Sequence, residues 1–304
     1  KKKLSFNGYF QHFMASARDE RSSQRLQLSE TASSKFACSN ATVEWTLTDF
    51  DGINFIVSQL LLNRSSWSGS QNGIKEIQKI ANQDAGMAPV RDLLEKARQT
   101  GDVKYLLKAY TVECDFYKVL NRKLAERVLE TSVRNSIGSL INLFLPNANQ
   151  NQPKDDWPLC FSGPIFDDIF SSDHQRYNFR GETYRGVCIN SNELHKYAVG
   201  KLIFNKAFTS TSKDLNFAKR LLNMQRSKKE NKHKLPAIFT FKITGADITF
   251  TIDLVYPDLA VYSGEYEVLI MPGIPFQIQS VKYDRNLVEV ELTQYTLNHV
   301  LKKQ

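Results

Sequence analysis

Apolar positions along this chain recur at helical spacing in its first half and alternate in its second, and the change of period divides it. From Thr46 to about Arg134 the pattern is helical. Pro89 opens one helix, Val90, Leu93, Leu94 and Ala97 mark its apolar side, and Gly101 stops it. Proline suits a first helical turn, and glycine takes the left-handed position just past the last one. A second helix is predicted from Asp102 to about Val128, with Leu106, Ala109, Tyr117, Leu120, Leu124 and Val128 largely on one side. The polar, proline-bounded stretch 146–156 reads as a loop or hinge. Beyond it the pattern alternates, predicting strands at Thr183–Ile189, Leu202–Phe208, Ala237–Ile243, Ile248–Leu254, Tyr266–Ile270, Pro275–Lys282 and Leu287–Thr293. One helix, Leu215–Met224, interrupts them.

The expected organisation is therefore an irregular lead-in (1–45), a helical subdomain (46–145) and a β-rich core (157–304). Helices first and clustered strands afterwards point to an α+β fold rather than alternating βα units. No Gly-x-Gly-x-x-Gly follows a strand, which argues against a doubly wound dinucleotide fold. No internal repeat is present.

Composition adds bounds rather than a function. The 304 residues, 41% hydrophobic and 24% charged, describe an ordinary globular chain with ample core. The longest apolar candidate, Ile53–Leu62, is interrupted by Asn54, Ser58 and Gln59, so no membrane span of roughly 20 residues is expected. Lys1–Lys3 is followed by polar sequence, not by the apolar run of a secretory signal; a leader trimmed upstream would leave secretion open.

Net charge is +8, densest at Lys1–Lys3 and across Arg226–Lys234. No aromatic residues interleave with that second run, so it reads as a solvated loop and nucleic acid is not an expected partner. Cys38, Cys114, Cys160 and Cys188 show neither Cys-x-x-Cys spacing nor a nearby His, so no metal site is expected. Their even number permits disulfides, and Asn40-Ala41-Thr42 and Asn63-Arg64-Ser65 match glycosylation acceptors. Widely spaced thiols equally suit a reduced protein, and the balance favours the cytoplasm.

The chemistry concentrates in three segments of the second half. Ser263-Gly264-Glu265-Tyr266-Glu267-Val268-Leu269-Ile270 sets paired glutamates at the mouth of an apolar run. In an extended strand alternate residues share a face, so both carboxylates are expected to project into one site, with Tyr266 pointing away. Upstream, Glu182-Thr183-Tyr184-Arg185-Gly186-Val187 carries an arginine followed at once by glycine. Between them, Phe204-Asn205-Lys206-Ala207-Phe208-Thr209-Ser210-Thr211-Ser212 is an aromatic-flanked hydroxyl cluster leading into a helix.

An arginine, a Ser-Thr-Ser and a Glu-x-Glu in this order resemble the arginine-specific mono-ADP-ribosyltransferases. Ala109-Tyr110-Thr111, with Phe116-Tyr117-Lys118-Val119-Leu120-Asn121, is similar to the helical segment preceding the core in animal-type members. The resemblance spans about residues 102 to 295. It implies two small antiparallel sheets with NAD bound as co-substrate in the cleft between them, and no metal. It also implies an acceptor protein with an exposed arginine.

By the same resemblance Glu267 would be the catalytic carboxylate and Glu265 would orient the acceptor guanidinium. Arg185 would clamp the NAD pyrophosphate and Gly186 would let backbone approach the nicotinamide amide. Ser210 would hold the ribose or the catalytic carboxylate. Thr211 and Ser212 are expected instead to bond backbone and cap the helix starting near Asp214. Phe217 and Tyr262 are candidates for stacking on nicotinamide or shaping the acceptor loop, though an ordinary core role is the one expected for each. The segment from Tyr256 to Gly264 would form the acceptor wall; Ser263 and Gly264 stand where many members carry acidic residues. The same residues would serve an NAD glycohydrolase, with water as acceptor, and a binding module without turnover remains a third reading.

Overall fold

The apolar stripe around Leu94 and the alternating runs after residue 180 build one continuous core. The computed structural model describes residues 45–48, 67–133, 157–169, 177–194, 197–245, 249–256, 259–261, 266–284 and 286–295. Its N-terminal part holds β1 (Trp45–Thr48), α1 (Trp67–Gln83), a 3-10 turn (Ala85–Val90), α2 (Arg91–Thr100), α3 (Lys104–Thr111), α4 (Phe116–Val133) and α5 (Trp157–Ile169). Ile74 and Ile77 of α1, Leu94 of α2, Leu106 of α3 and Phe161 of α5 are buried in the cluster that also contains Phe208, Phe241 and Val268. Gly73 makes the α1–α5 approach possible, since a Cβ there would fall 2.0 Å from that of Cys160.

Several expectations for this half need correction. Pro89 lies inside the 3-10 turn, and α2 begins at Arg91. The turn is capped by Asp84, whose carboxylate accepts from the Gly86 N–H at 2.8 Å. Gly101 does end α2, in the left-handed conformation at φ 69. The single helix expected from Asp102 is two helices, because Val112 turns extended and its carbonyl is taken by the Cys114 N–H at 2.8 Å. Thr46–Thr48 belongs to a strand, pairing with Leu202–Phe204. Helix α5 stands where alternation was expected; it is apolar nearly all round, so it carries no stripe for periodicity to detect. The hinge at 146–156 lies outside the described residues.

The second half agrees with expectation in most of its strands, but the strand expected over Leu202–Phe208 ends at Asn205 and a separate, unexpected strand follows at Thr209–Ser212. It holds β2 (Gly181–Ile189), α6 (Ser191–Leu194), β3 (Leu202–Asn205), β4 (Thr209–Ser212), α7 (Leu215–Ser227), β5 (Leu235–Ile243), β6 (Thr251–Asp253), β7 (Glu267–Ile270), β8 (Pro275–Asp284) and β9 (Leu287–Gln294). A 3-10 turn at Lys229–Asn231 links α7 to β5, so the basic run is indeed a connection between helix and strand. Alternation is clearest in β9, where Val288, Val290 and Leu292 are buried and Glu289 is exposed. The fold is α+β.

Among the described residues, nine strands join in the order β1-β3-β8-β9-β5-β2-β4-β7-β6. Every pairing is antiparallel except β5 with β9. The two expected small sheets are the two parts of this sheet, which narrows sharply between β2 and β4. Strand β2 pairs with β5 along its whole length but with β4 only at Tyr184↔Ser212. That seam leaves room for side chains from both parts to converge. Among the described residues, no helix is long and apolar enough to cross a membrane.

A buried asparagine closes the turn that leads into β4. Asn205 Nδ2 donates to the Met271 and Ala207 carbonyls at 2.7 and 2.8 Å, and Oδ1 accepts from the Ile274 N–H at 2.9 Å. One side chain thus ties the β3–β4 turn to the β7–β8 turn. Asn205→Ala strands three backbone groups away from water. It is expected to lower stability by about 2–4 kcal/mol, read as a fall of several degrees in Tm by calorimetry.

Candidate active site

Helix α7 is pressed against the seam by a missing side chain. A Cβ on Gly186 of β2 would lie 2.5 Å from the Ala218 carbonyl oxygen and 2.6 Å from Leu222 Cβ. Glycine at 186 therefore has a packing reason: it lets the helix lie directly on the strand. The start of α7 is fixed equally tightly. Asp214 caps it, accepting from the Asn216 N–H at 2.8 Å, and Ser212 Oγ accepts from the Asp214 N–H at 3.1 Å. The cap expected of Thr211 or Ser212 thus falls to Asp214, with Ser212 one step behind.

Thr211 turns inward and holds the seam shut from below. Its hydroxyl accepts from Thr183 Oγ1 at 2.7 Å and donates to the Val268 carbonyl at 2.7 Å. Three strands are joined by that relay, and all of it is buried. The other face carries the candidate chemistry. Tyr184 pairs with Ser212, and Ser212 with Glu267, so the three side chains form one row across β2, β4 and β7. Ser210, on alternate position to Ser212, shares that face. Arg185 reaches across the seam, its Nη1 donating to the Ser210 carbonyl oxygen at 2.8 Å.

These residues line a cleft open to solvent, with Arg185, Ser210 and Glu267 converging and Phe217, Leu221 and Gln225 of α7 forming a wall. The structure therefore brings together Arg185, Gly186, Ser210 and Glu267, while Glu265 and Tyr262 lie outside the described residues. Tyr184, Leu221 and Gln225 also line the cleft and were not singled out from sequence. The helical spacing of Leu221 and Gln225 with Phe217 is the signal that points to them. The Arg220 guanidinium lies over the Phe217 ring at 5.6 Å, on the α7 side.

The same-face argument for the glutamates needs correction. Strand β7 begins at Glu267, not Tyr266, and Tyr266 has φ 49. Extended alternation is thus broken at the residue between the two acids.

The helical segment reaches this site as well. Burial pushes the Tyr110 hydroxyl pKa well above its ordinary value; the hydrogen bond from Asn121 Nδ2, at 3.0 Å, works against this. The Glu267 carboxylate adds to the rise and the Arg185 guanidinium offsets it, so Tyr110 feels both site charges. Its ring packs on Phe208, 5.2 Å between centroids, just before β4. Thr111 Oγ1 accepts from the Val261 N–H at 2.9 Å, tying the end of α3 to the segment before residue 262. Among the described residues, Cys114 and Cys188 are free thiols. Among them too, no cluster of His, Cys, Asp or Glu could hold a metal ion.

The relay at the seam makes a specific prediction. Thr211→Val keeps shape but leaves the Thr183 hydroxyl buried without its acceptor, and is expected to cost about 1–3 kcal/mol. Adding Thr183→Val removes that stranded group. The double variant is expected to be less destabilised than the sum of the singles, measured as a double-mutant cycle by denaturant unfolding.

No family model matches the sequence, and the comparison with curated proteins returned no match. Solved structures give remote likenesses. The ADP-ribosyltransferase Vis of Vibrio splendidus, in complex with an inhibitor, is 18% identical with a TM-score of 0.44, over 78% of this chain and 88% of that one. The ADP-ribosyltransferase HopU1 of Pseudomonas syringae pv. tomato is 12% identical with a TM-score of 0.41, over 82% and 99%. The type III effector XopAI of Xanthomonas axonopodis pv. citri is 14% identical with a TM-score of 0.39, over 91% and 99%. At such distances the chemistry of the cleft stands on its own residues.

Proposed function

We propose that this protein transfers ADP-ribose from NAD to arginine side chains of an acceptor protein and releases nicotinamide. The observation that supports this reading is the convergence of Arg185, Ser210 and Glu267, from separate strands, in one cleft at the sheet seam. Breaking the bond between nicotinamide and ribose C1′ leaves positive charge on the sugar. A fixed carboxylate beside that carbon, shielded from bulk water, stabilises the charge as it develops. Glu267 is buried at the first position of β7 and opens into the cleft, which suits it to that task.

Arg185 offers a planar fork of donors, matched to the oxygens of a pyrophosphate. Its bond to the Ser210 carbonyl sets the guanidinium at the seam, on the same cleft as the carboxylate. Ser210 supplies a hydroxyl on the Glu267 face, where it serves the ribose or the carboxylate. The acceptor guanidinium is protonated in water, with pKa above about 12, and is a poor nucleophile. A second carboxylate is needed to grip it and assist loss of its proton, and Glu265 is assigned that role from the motif.

Incubation with labelled NAD and agmatine, a small guanidine acceptor, tests the reading. Wild-type protein is expected to form a labelled adduct, and Glu267→Gln to reduce nicotinamide release by about 10²–10³-fold. Glu265→Gln is expected to abolish the adduct while leaving substantial NAD hydrolysis. Nicotinamide release without adduct in the wild type would instead make the protein a glycohydrolase, and no turnover would refute both enzymatic readings.

A further inference from the structure

Tyr266, immediately before Glu267, holds φ at 49, in the left-handed region where a Cβ crowds the carbonyl oxygen. Gly and Asn visit that region readily; an aromatic residue stays there only when its surroundings hold it. Lys213 bonds to it here. Its N–H donates to the Tyr266 carbonyl oxygen at 2.9 Å, and its Nζ reaches both carboxylate oxygens of Asp253, at 2.9 and 2.8 Å.

Asp253 is itself anchored beside Glu267. It pairs with Val268 in the β6–β7 ladder, and its Oδ1 accepts from the Val255 N–H at 3.2 Å. The next amide along, Leu254 N–H, donates to the Glu267 carbonyl oxygen at 3.0 Å. Lys213 in turn follows Ser212, the ladder partner of Glu267. A closed circuit of contacts thus passes from β4 through Lys213 and Asp253 to β6 and back to β7, with Tyr266 inside it. The side chains of the pair are only 27% and 16% exposed, so solvent screens them less than a surface pair. Neither lines the cleft.

We propose that the Lys213–Asp253 ion pair is a positioning clamp that keeps Tyr266 left-handed and thereby fixes the direction of the Glu267 carboxylate in the cleft. The proposal rests on Glu267 acting as the catalytic carboxylate. Releasing the turn reorients the peptide that enters Glu267 while leaving Arg185 and the α7 wall in place. Loss of the clamp therefore weakens stabilisation of the transition state more than binding of the donor.

The test replaces the clamp and then removes the need for it. Lys213→Met is expected to lower kcat for nicotinamide release by about tenfold or more, with KM for NAD changed by less than about twofold. Hydrogen exchange at the residue 213 amide should accelerate in the same variant. Lys213→Arg keeps the pair and should retain both properties. Adding Tyr266→Asn to Lys213→Met supplies a residue that tolerates the left-handed turn, and should restore kcat and amide protection together. A Lys213→Met protein with wild-type kcat or an unchanged residue 213 amide overturns the clamp, as does failure of Tyr266→Asn to restore either. If the wild type releases no nicotinamide, the functional reading fails, and the amide measurement alone then decides whether the clamp exists.

Discussion

The site depends on how the nine-stranded sheet is joined at its narrowest point. Between β2 and β4 the ladder contributes a single residue pair, Tyr184↔Ser212. A seam that thin needs other bonds, and three sets supply them. The buried hydroxyls of Thr183 and Thr211 carry the join through to the Val268 carbonyl. Arg185 spans the gap above by bonding the Ser210 carbonyl. Helix α7 lies across β2 because Gly186 leaves no side chain in its way. Each fixes the seam, beside which the cleft opens. The narrowing of the ladder is what allows an arginine from one part and a glutamate from the other to share that cleft.

This view gives the Thr-Ser-Thr-Ser of β4 two different tasks. Thr211 faces inward, where a hydroxyl is tolerated only because both its hydrogen-bonding roles are met. Ser210 and Ser212 face the row that includes Glu267, and Ser212 also steadies the start of α7. The helical half is part of the same construction, since Tyr110 lies within the influence of both Glu267 and Arg185 and Thr111 holds Val261.

Much of this was legible in the sequence, where the physics is local. Strand β9 alternates, β5 and β8 are apolar runs rich in β-formers, and α7 carries an apolar stripe ended by its basic run, so their boundaries are read almost directly. Arg185, Ser210 and Glu267 could be named because their order along the chain is distinctive. What escaped depends on contacts between distant segments. Helix α5 is surrounded by core, with Phe161, Ile165 and Phe166 all buried, and so lacks a polar face to set a period. The break after Thr111 follows from where Val112 and Asp115 bond, Asp115 reaching the Gly86 carbonyl. The turn at Tyr266 runs against residue preference altogether, and its carbonyl is held by the Lys213 N–H from a distant strand.

The central claim is that the seam cleft holds NAD with its pyrophosphate on Arg185 and its nicotinamide ribose beside Glu267. Calorimetric titration of NAD into Glu267→Gln protein, which keeps the donor intact, measures this directly when repeated with Arg185→Ala added. The account predicts saturable binding that weakens by about 1.5–3 kcal/mol, roughly ten- to a hundredfold in Kd, on loss of the arginine. Equal affinity with and without Arg185, in proteins that melt alike, would contradict it.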